Sequence, residues 1–445
     1  MARELKATLN IGRPDEVGSI LKRLRPYDQA VVLRRLDPAV QLRVFEVIPT
    51  AMAADIFQEL EREERLQLLV AIGAAKAAPI LDEMSSDDAT DLLAELDQDH
   101  QRELLSLLRM EEADELRSLL AYPEQTAGAI MTTEYVSLAA NNTVSEVFEQ
   151  LRRVSREAET IYYLYVVDEQ EHLVGVLSIR DLIMAEPDTR VEKLMIQDLV
   201  AAKVNDDQED VARMIEQYDL LAIPVVDLTG TLVGIVTVDD IIDVITDEAT
   251  EDISRLNAIS GRAVDDLRVG AVAAARKRLP WLVLLLFIGI LSGSIIASFE
   301  ETLEAVVILA IFIPMIADMA GNTGTQSLAL VVRGLALGEF KTEDVFRLLR
   351  REAGVGLILG TVNGLAIAVI ASIWQQSIVL GFVIGFSLWL TLIVATLVGA
   401  IVPIIISRFN IDPAVASGPF ITTVNDIVGL TIYFSVATAL MVYLI

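Results

Sequence analysis

The 445-residue sequence contains no cysteine and only two histidines, His100 and His172. The missing thiols exclude a disulfide framework, a thiolate metal site and a cysteine nucleophile. Two histidines leave zinc chemistry and Ser-His catalysis poorly provided for. No grouping of nucleophile, base and orienting residue stands out, so no enzymatic activity is expected. Positive charge is scarce as well, with 35 Lys+Arg against 64 Asp+Glu and a net charge of −29. So acidic a chain repels nucleic acid and anionic lipid head groups, which excludes a nucleic-acid partner and points to cations. Residues 1–25 lack an apolar core of signal-peptide length, so the N-terminal half is expected to stay in the cytoplasm.

The acidity is unevenly placed. Up to Leu279 the chain has 29 basic and 54 acidic residues, giving −25; after it come long apolar runs that fit a bilayer. Five spans are expected at about 280–299, 303–336, 353–374, 378–407 and 414–443. The second, fourth and fifth are interrupted by Pro314, Pro403 and Pro419, as in helices bending around a cavity. Gly289 and Gly293 in the first span read as helix-packing positions. Arg276, Lys277 and Arg278 precede the first span, Lys341, Arg347, Arg350 and Arg351 follow the second, and Arg408 follows the fourth. The opposite loops carry Glu300, Glu301 and Gln375 without Lys or Arg, so the C-terminus is expected outside a multi-pass cell (plasma or inner) membrane protein.

The soluble half is itself modular. Leu36, Ile48, Leu60, Ile72, Met84, Leu96 and Leu108 recur every 12 residues, with a second apolar register at Val44, Ile56, Leu68, Ile80, Leu92, Leu104 and Leu116. Twelve residues advance an α-helix by three turns plus roughly 120°, so one continuous helix would smear this stripe around its surface. The repeat therefore predicts a superhelix of short helices, broken near Asp37, Pro38, Pro49, Thr50, Ser85 and Asp97. From Met131 the pattern changes to strands at 162–167, 174–177, 223–226 and 233–236 alternating with amphipathic helices. Each copy ends alike, in Gly175-Val-Leu-Ser-Ile-Arg-Asp181 and Gly234-Ile-Val-Thr-Val-Asp-Asp240. These endings resemble the closing motif of cystathionine-β-synthase-type (CBS) domains, which pair and bind adenine nucleotides. The resemblance makes ATP the candidate ligand, with Tyr163, Arg180, Asp181, Pro224, Thr237 and Asp240 as candidate contacts.

An acid at membrane depth costs on the order of 2.5–3.5 kcal/mol even on insertion scales, and so calls for a reason. Asp426 lies in Thr422-Thr-Val-Asn-Asp426, within a span that has no Lys or Arg. Asp318 precedes Gly321-Asn-Thr-Gly-Thr-Gln-Ser327, expected as a polar break in the second span, with Asn322 and Asn425 as further oxygen donors. A structural, hydrogen-bonded acid is the competing reading for either aspartate. An all-oxygen donor set suits a hard divalent cation, and Mg2+, which sheds water reluctantly, suits a sparse ring of carboxylates around a hydrated ion. In a two-fold homodimer two copies of Asp426 would face one another across that ion.

Tyr122-Pro-Glu-Gln-Thr-Ala-Gly-Ala-Ile-Met131, the Gly-Asn-x-Gly-x-Gln pattern at 321–326, Arg333-Gly-Leu-Ala-Leu-Gly-Glu339 and Ala416-Ser-Gly-Pro-Phe420 with Asp426 downstream resemble the MgtE family of magnesium channels. The resemblance covers nearly the whole chain. It implies a homodimer with its pore on the dimer axis, Asp426 at the family's pore aspartate, and a connecting helix that plugs the pore when magnesium is plentiful. Some members have glycine at the position of Asp318.

The expected plan is a multidomain membrane protein: an all-α superhelix over 1–130, an α/β tandem CBS pair over 131–193 and 194–252, a long connecting helix over 253–278 with Asp265 and Asp266 near its middle, and a five-span pore domain over 279–445. Acids crowd the soluble part at Asp206, Asp207, Glu209 and Asp219 and at Asp240, Asp243, Asp247, Glu248, Glu251 and Asp252. Asp87 and Asp91 share a helix face in the superhelix, with Asp55 on an earlier repeat. Cations bound only by a compact arrangement of these acids would stabilise it, so they are candidate magnesium sensors that close the channel. The resemblance favours Asp55, Asp87, Asp91, Asp243, Asp247, Glu251 and Asp252 among them. The competing functions are a non-conducting CBS-type membrane sensor and a coupled exporter of divalent cations.

Overall fold

The computed structural model describes residues 5, 6, 8, 14–154, 158–259, 270–336, 344–409 and 411–444, with backbone alone at 14, 15, 62 and 63. Asp265, Asp266, Glu339 and Lys341 lie outside the described residues. The chain divides into two compact units, Met1–Ile245 and Thr246–Ile445.

Among the described residues the first unit opens with nine short helices: α1 Pro14–Leu21, α2 Pro26–Leu33, α3 Pro38–Phe45, α4 Thr50–Gln58, α5 Arg62–Ile72, α6 Ala74–Leu81, α7 Ser86–Ala94, α8 Gln98–Leu107 and α9 Met110–Leu119. Each begins 12 residues after the last, which is the period of the apolar repeat. Proline at the first turn of α2 and α3 starts helices where no backbone donor is wasted. The Asp97 carboxylate caps α8 by accepting from the N–H groups of Asp99 and His100. Helix ends are closed from the next repeat. The amide of Gln29 donates to the carbonyls of Leu21 and Leu24, that of Gln41 to Leu33 and Leu36, and that of Gln101 to Leu93. The second apolar register forms the spine of the core, with Val44, Ile56, Leu92 and Leu116 fully buried.

Two α/β copies follow. The first consists of β1 Ser137–Ala139, α10 Val144–Val154, β2 Tyr163–Val167, β3 Leu173–Ser178 and α11 Ile179–Met184; the second of β4 Ala202–Lys203, α12 Gln208–Tyr218, β5 Ala222–Val226, β6 Leu232–Thr237 and α13 Val238–Leu256. Each sheet pairs its first two strands parallel and its last two antiparallel, and the registers match, Leu164 opposite Leu177 and Ile223 opposite Val236. Tyr165, Ala222, Leu232 and Ile235 bury a core shared by the two copies. The glycine that opens each closing motif is needed for close approach. A Cβ on Gly175 would lie 2.6 Å from the Met195 sulfur, and one on Gly234 2.7 Å from that of Met131. The expected strand pattern is therefore observed twice, with β2 starting one residue later than expected and β3, β5 and β6 extended by one residue at one or both ends.

Among the described residues the second unit contains five helices long and apolar enough to cross a membrane. They are α14 Ala271–Ser298, then, after the short α15 Glu300–Ala305, α16 Ile313–Ala336, α17 Val345–Trp374, α18 Ile378–Ser407 and α19 Gly418–Ala439. Its core gathers Phe312 and Ile316 at the start of α16, Ile367 of α17, Val383 and Leu388 of α18, and Tyr433 and Phe434 of α19.

Several sequence expectations need correction here. The segment Gly321-Asn-Thr-Gly-Thr-Gln-Ser327 is not a break but lies inside continuous α16; the irregular turn comes earlier, as a 3-10 helix over Val307–Phe312. Pro314 and Pro419 fall in the first turns of α16 and α19, where proline interrupts nothing, and Pro403 alone sits inside its helix. Nor do residues 253–278 form one helix. α13 ends at Leu256, because Ala258 adopts φ +56 and the N–H groups of Ala258 and Ile259 donate back to the carbonyls of Arg255 and Ser254, the left-handed C-terminal closure. Arg276 to Arg278 already belong to the first span, α14. Within the chain, finally, a Cβ on Gly289 or Gly293 would meet nothing within 4 Å, and close glycine packing is found on later helices instead, including the α17–α18 hairpin. There Cβ atoms on Gly360 and Gly364 would reach 2.7 Å from the carbonyl oxygens of Trp389 and Gly385, so the two backbones touch where only glycine fits.

Candidate cation sites

α19 presents two different faces to α16. Thr422 and Asn425 pack on Gly321 and Gly324, whose missing side chains let the helices close: a Cβ on Gly321 would lie 2.7 Å from Thr422 Cγ2, and one on Gly324 would collide with the Asn425 amide. Asn425 is thereby 1% exposed, and among the described residues neither its amide nitrogen nor its carbonyl oxygen has a hydrogen-bond partner. It points into the bundle, not to the open side where the sequence placed it as an oxygen donor. Asp426, the next residue, turns about 100° away. It is half-buried, and Asp318 of α16 is the charged group it feels. Asp318 and Asn322, one turn apart on α16, are both exposed. Asp318 and Asp426 thus share a side of the bundle; Asn322, one turn on from Asp318, lines a cavity with Gln326 and with Leu359 and Asn363 of α17, while Asn425 lies behind.

The loop that leads into α19 is tied to the end of α13. Arg255 forms ion pairs with Glu251, one turn back, and with Asp412. Asp412 also accepts from the Ala414 N–H at 2.8 Å, and Leu256 packs on the cluster of Leu328, Val332, Ala414, Ala416 and Ile421. The acids Asp247, Glu248, Glu251 and Asp252 are all half-buried on this part of α13. The Asp252 carboxyl is pushed up by burial and by Glu248, against a smaller opposing pull from Arg255.

A second concentration of acid lies in the first unit, where α7 meets the start of the CBS pair. Ser86, 2% exposed, hydrogen-bonds both Thr132 and Thr133 through its hydroxyl at 3.2 and 3.0 Å, and the Thr133 hydroxyl donates to Glu115. That contact brings Asp87, in the first turn of α7, into a group of carboxylates. Burial, and then Asp88, push the Asp87 carboxyl up. Burial first, then Glu159 and Asp87, push Glu134 up to about 7. Burial and Asp87 push Asp240 up to about 8, against the hydroxyl of Thr237, which donates to it. Glu159 is raised by burial and by Asp87, Asp239 and Asp88. Asp91 keeps an exposed surface, yet the protein around it, then Asp88 and Asp87, push it up to about 7. Asp87 is the common repelling neighbour of all of these. Among the described residues, no three acid side chains converge closely enough to be ligands of one bare ion.

The other acids expected to act as sensors have separate places. Asp55 and Asp243 are exposed. Asp206 accepts from the Lys203 N–H, Asp207 caps α12 by accepting from Glu209 N–H, and Asp219 closes that helix in a left-handed conformation. These three have backbone work to do that explains their side chains. Among the nucleotide candidates, Tyr163 lies opposite Ser178 at the end of the first sheet, beside exposed Arg180 and Asp181, and the Ser178 hydroxyl donates to Asp181 at 2.6 Å. Buried Pro224 and Thr237, with half-buried Asp240, form the matching corner of the second copy. That corner contains the acid group just described. Glu134 and Glu159 escaped the sequence reading because they lie about 50 and 70 residues from Asp87 in the chain and share no spacing with it. The Thr132-Thr133 step beside Glu134 was their one local signal.

Comparison with known proteins matches these parts in the same order. Residues 24–125 match the MgtE intracellular N domain, 127–188 and 191–247 CBS domains, and 313–436 the divalent cation transporter family MgtE. The magnesium transporter MgtE of Bacillus subtilis (strain 168) is 51% identical over 318 residues, 72% of this chain and 70% of its own length. That of Thermus thermophilus is 45% identical over 321 residues, 72% and 71% of the two chains. Among solved structures, the soluble part of a magnesium transporter aligns at 42% identity and TM-score 0.52, covering 56% of this chain and 98% of that one. The cytosolic domain of the Mg2+ channel MgtE in complex with ATP aligns at 40% and 0.53, covering 55% and 100%. With helical, CBS and membrane parts all matched, the chain belongs to the MgtE family of divalent cation transporters.

Proposed function

We propose that this protein is a magnesium channel of the cell membrane, working as a homodimer with its N-terminal parts in the cytoplasm and its C-terminus outside, and closed by cytoplasmic Mg2+. The observation that carries the reading is the half-buried Asp426 with Asp318 as its charged neighbour, on a helix that has no Lys or Arg. Two like charges held at membrane depth are costly unless a cation joins them. Among the described residues no three acids converge, and carboxylates with amides suit an ion that keeps its water, as Mg2+ does. The solved ATP complex of a related channel, and the corner of Tyr163, Arg180 and Asp181, support ATP as a modulator bound in the first CBS copy. The matching corner around Asp240 is crowded with carboxylates, which repel phosphate and attract a cation.

Closing would follow from the acid group on Asp87 and from the acids of α13. Each Mg2+ that binds only the compact form stabilises it by RT ln(1 + [Mg2+]/Kd). α13 carries Asp240 at its start, and Arg255, paired with Asp412 ahead of the α19 span, at its end. The test is Mg2+ uptake into proteoliposomes, driven by the magnesium gradient alone and lost in Asp426→Ala. Uptake that requires a counter-gradient would favour a coupled exporter, and ligand binding without uptake a non-conducting sensor.

A further inference from the structure

We propose that Glu352 is a positioning residue for ion passage, holding the polar segment of α16 in place through Ser327. The inference rests on the channel reading above. Glu352 belongs to α17, is 2% exposed, and its carboxylate accepts from the Ser327 hydroxyl at 2.7 Å; Ser327 is itself 3% exposed. Among the described residues Glu352 has no ion pair. A carboxylate sealed in a helix bundle and met by one neutral hydroxyl is expensive, so a role is to be sought for it.

The geometry supplies the role. Ser327 ends the segment that starts at Gly321, and it stands nine residues after Asp318, half a turn around α16 at about 100° per residue. Glu352 therefore grips α16 half a turn from Asp318, while further along α17 Leu359 and Asn363 line one cavity with Asn322 and Gln326. The segment needs a grip: Gly321 and Gly324 are both weak helix formers, and Thr323 and Thr325 add little. On one flank the two glycines are pinned by Thr422 and Asn425 of α19. On the far side the firmest element is the glycine-packed α17–α18 hairpin, where Leu348, one turn before Glu352, packs with Val331, Ala400 and Ile404. The Glu352–Ser327 hydrogen bond joins that scaffold to the loosest stretch of α16.

The test compares Glu352→Gln, Glu352→Leu and Ser327→Ala with the native protein by two readouts. Because the chain has no cysteine, a nitroxide on a single Asn322→Cys reports the order of the segment without background. The label should stay immobilised in Glu352→Gln, whose side-chain carbonyl still accepts from Ser327, and become mobile in Glu352→Leu and Ser327→Ala. In the proteins without the label, half-saturating Mg2+ for uptake should rise about five- to tenfold in Leu and Ala variants, stay within about twofold in Gln, and rise no further in the Leu/Ala double variant. An unchanged label in Ser327→Ala, a Gln variant as disturbed as Leu, or additive effects in the double variant would overturn the proposal. A native protein without uptake would count against the channel reading, while the label still decides whether Glu352 orders the segment.

Discussion

The two units put the same side chain to opposite uses. In the first, Asp87, Glu134, Glu159 and Asp240 crowd together and raise one another's carboxyls, so the compact form carries repulsion that a cation would relieve. In the second, Asp318 and Asp426 sit on a sparse, open side among amides and hydroxyls. On the proposed channel reading, dense acid makes an arrangement whose stability reports cation concentration, and sparse acid makes a path on which an ion can bind weakly enough to leave. The comparison predicts that substitutions in the two groups separate conduction from its control. Asp426→Ala should lower Mg2+ uptake at least about a hundredfold, as expected when the charge facing a permeating ion is removed. Uptake within a few-fold of native would remove the distinction between the two acid groups.

Neutralising the dense group should have a smaller and different effect. In Asp87→Asn/Glu134→Gln both the repulsion and the charge that draws Mg2+ to the compact form are mostly gone, while Asp318 and Asp426 are untouched, so the current through an open channel should be retained. The compact form then depends on Mg2+ less, and the closed-to-open ratio gained between Mg2+-free and saturating cytoplasmic Mg2+ should shrink about tenfold, equal to about 1.4 kcal/mol of lost linkage. Inside-out patch recordings with graded cytoplasmic Mg2+ measure both quantities together. A fall in open-channel current with an unchanged gain in the closed-to-open ratio would reverse the assignment. Glu134 is the informative partner, since it was recognised from its neighbours in space alone.

Proton binding gives a third handle on the dense group. The native carboxyls of Asp91, Glu134 and Asp240 are raised to about 7, 7 and 8, above their unfolded values near 4. Between those limits the native form binds more protons than the unfolded one, so unfolding free energy falls as pH rises. The full penalty is present above about pH 8 and absent below about pH 4. Without divalent ions, exchange protection over Ser86–Ala94, corrected for intrinsic rates, should therefore drop from pH 5 to pH 8, and Mg2+ should restore it at the upper end. Protection that is flat with pH, or that rises, would mean these acids do not repel one another in the native protein.

How much of this could be read beforehand depended on whether the cause was local. The 12-residue repeat announced the helix starts at Pro38, Thr50, Ser86 and Gln98 because one repeat buries one helix, and the paired closing motifs announced the last strand of each CBS sheet because each Gly-to-Asp run forms a strand and the start of the helix after it. Asp426 stood out because charge in an apolar run is visible in one dimension. Asn425 was misplaced because the adjacent residue on a helix points elsewhere, and only the glycines of α16 decide which side closes. Glu352 drew no attention because the third span was expected to start at 353, whereas α17 begins at Val345 and carries Glu352 to Ser327. The linker was drawn as one helix because amphipathic spacing gives no warning of a left-handed Ala258.

The smallest expected effect concerns the two sets of membrane glycines, which looked alike in sequence. A methyl group on Gly360 would stand 2.7 Å from the Trp389 carbonyl oxygen, a backbone atom that cannot swing away, so the α17–α18 hairpin must part. Gly360→Ala should cost about 1–3 kcal/mol, read as a lower thermal midpoint from the fluorescence of Trp389 alongside it. Gly293→Ala meets no atom within 4 Å in its own chain and gains helix propensity worth up to about 1 kcal/mol, so the midpoint should stay or rise slightly. If Gly293→Ala instead lowers the midpoint as far as Gly360→Ala does, and does so more strongly in dilute detergent where protomers separate, then α14 packs by its glycines on a second copy of the chain. The first span would then be part of the dimer interface, and the sequence reading of Gly289 and Gly293 would hold between chains rather than within one.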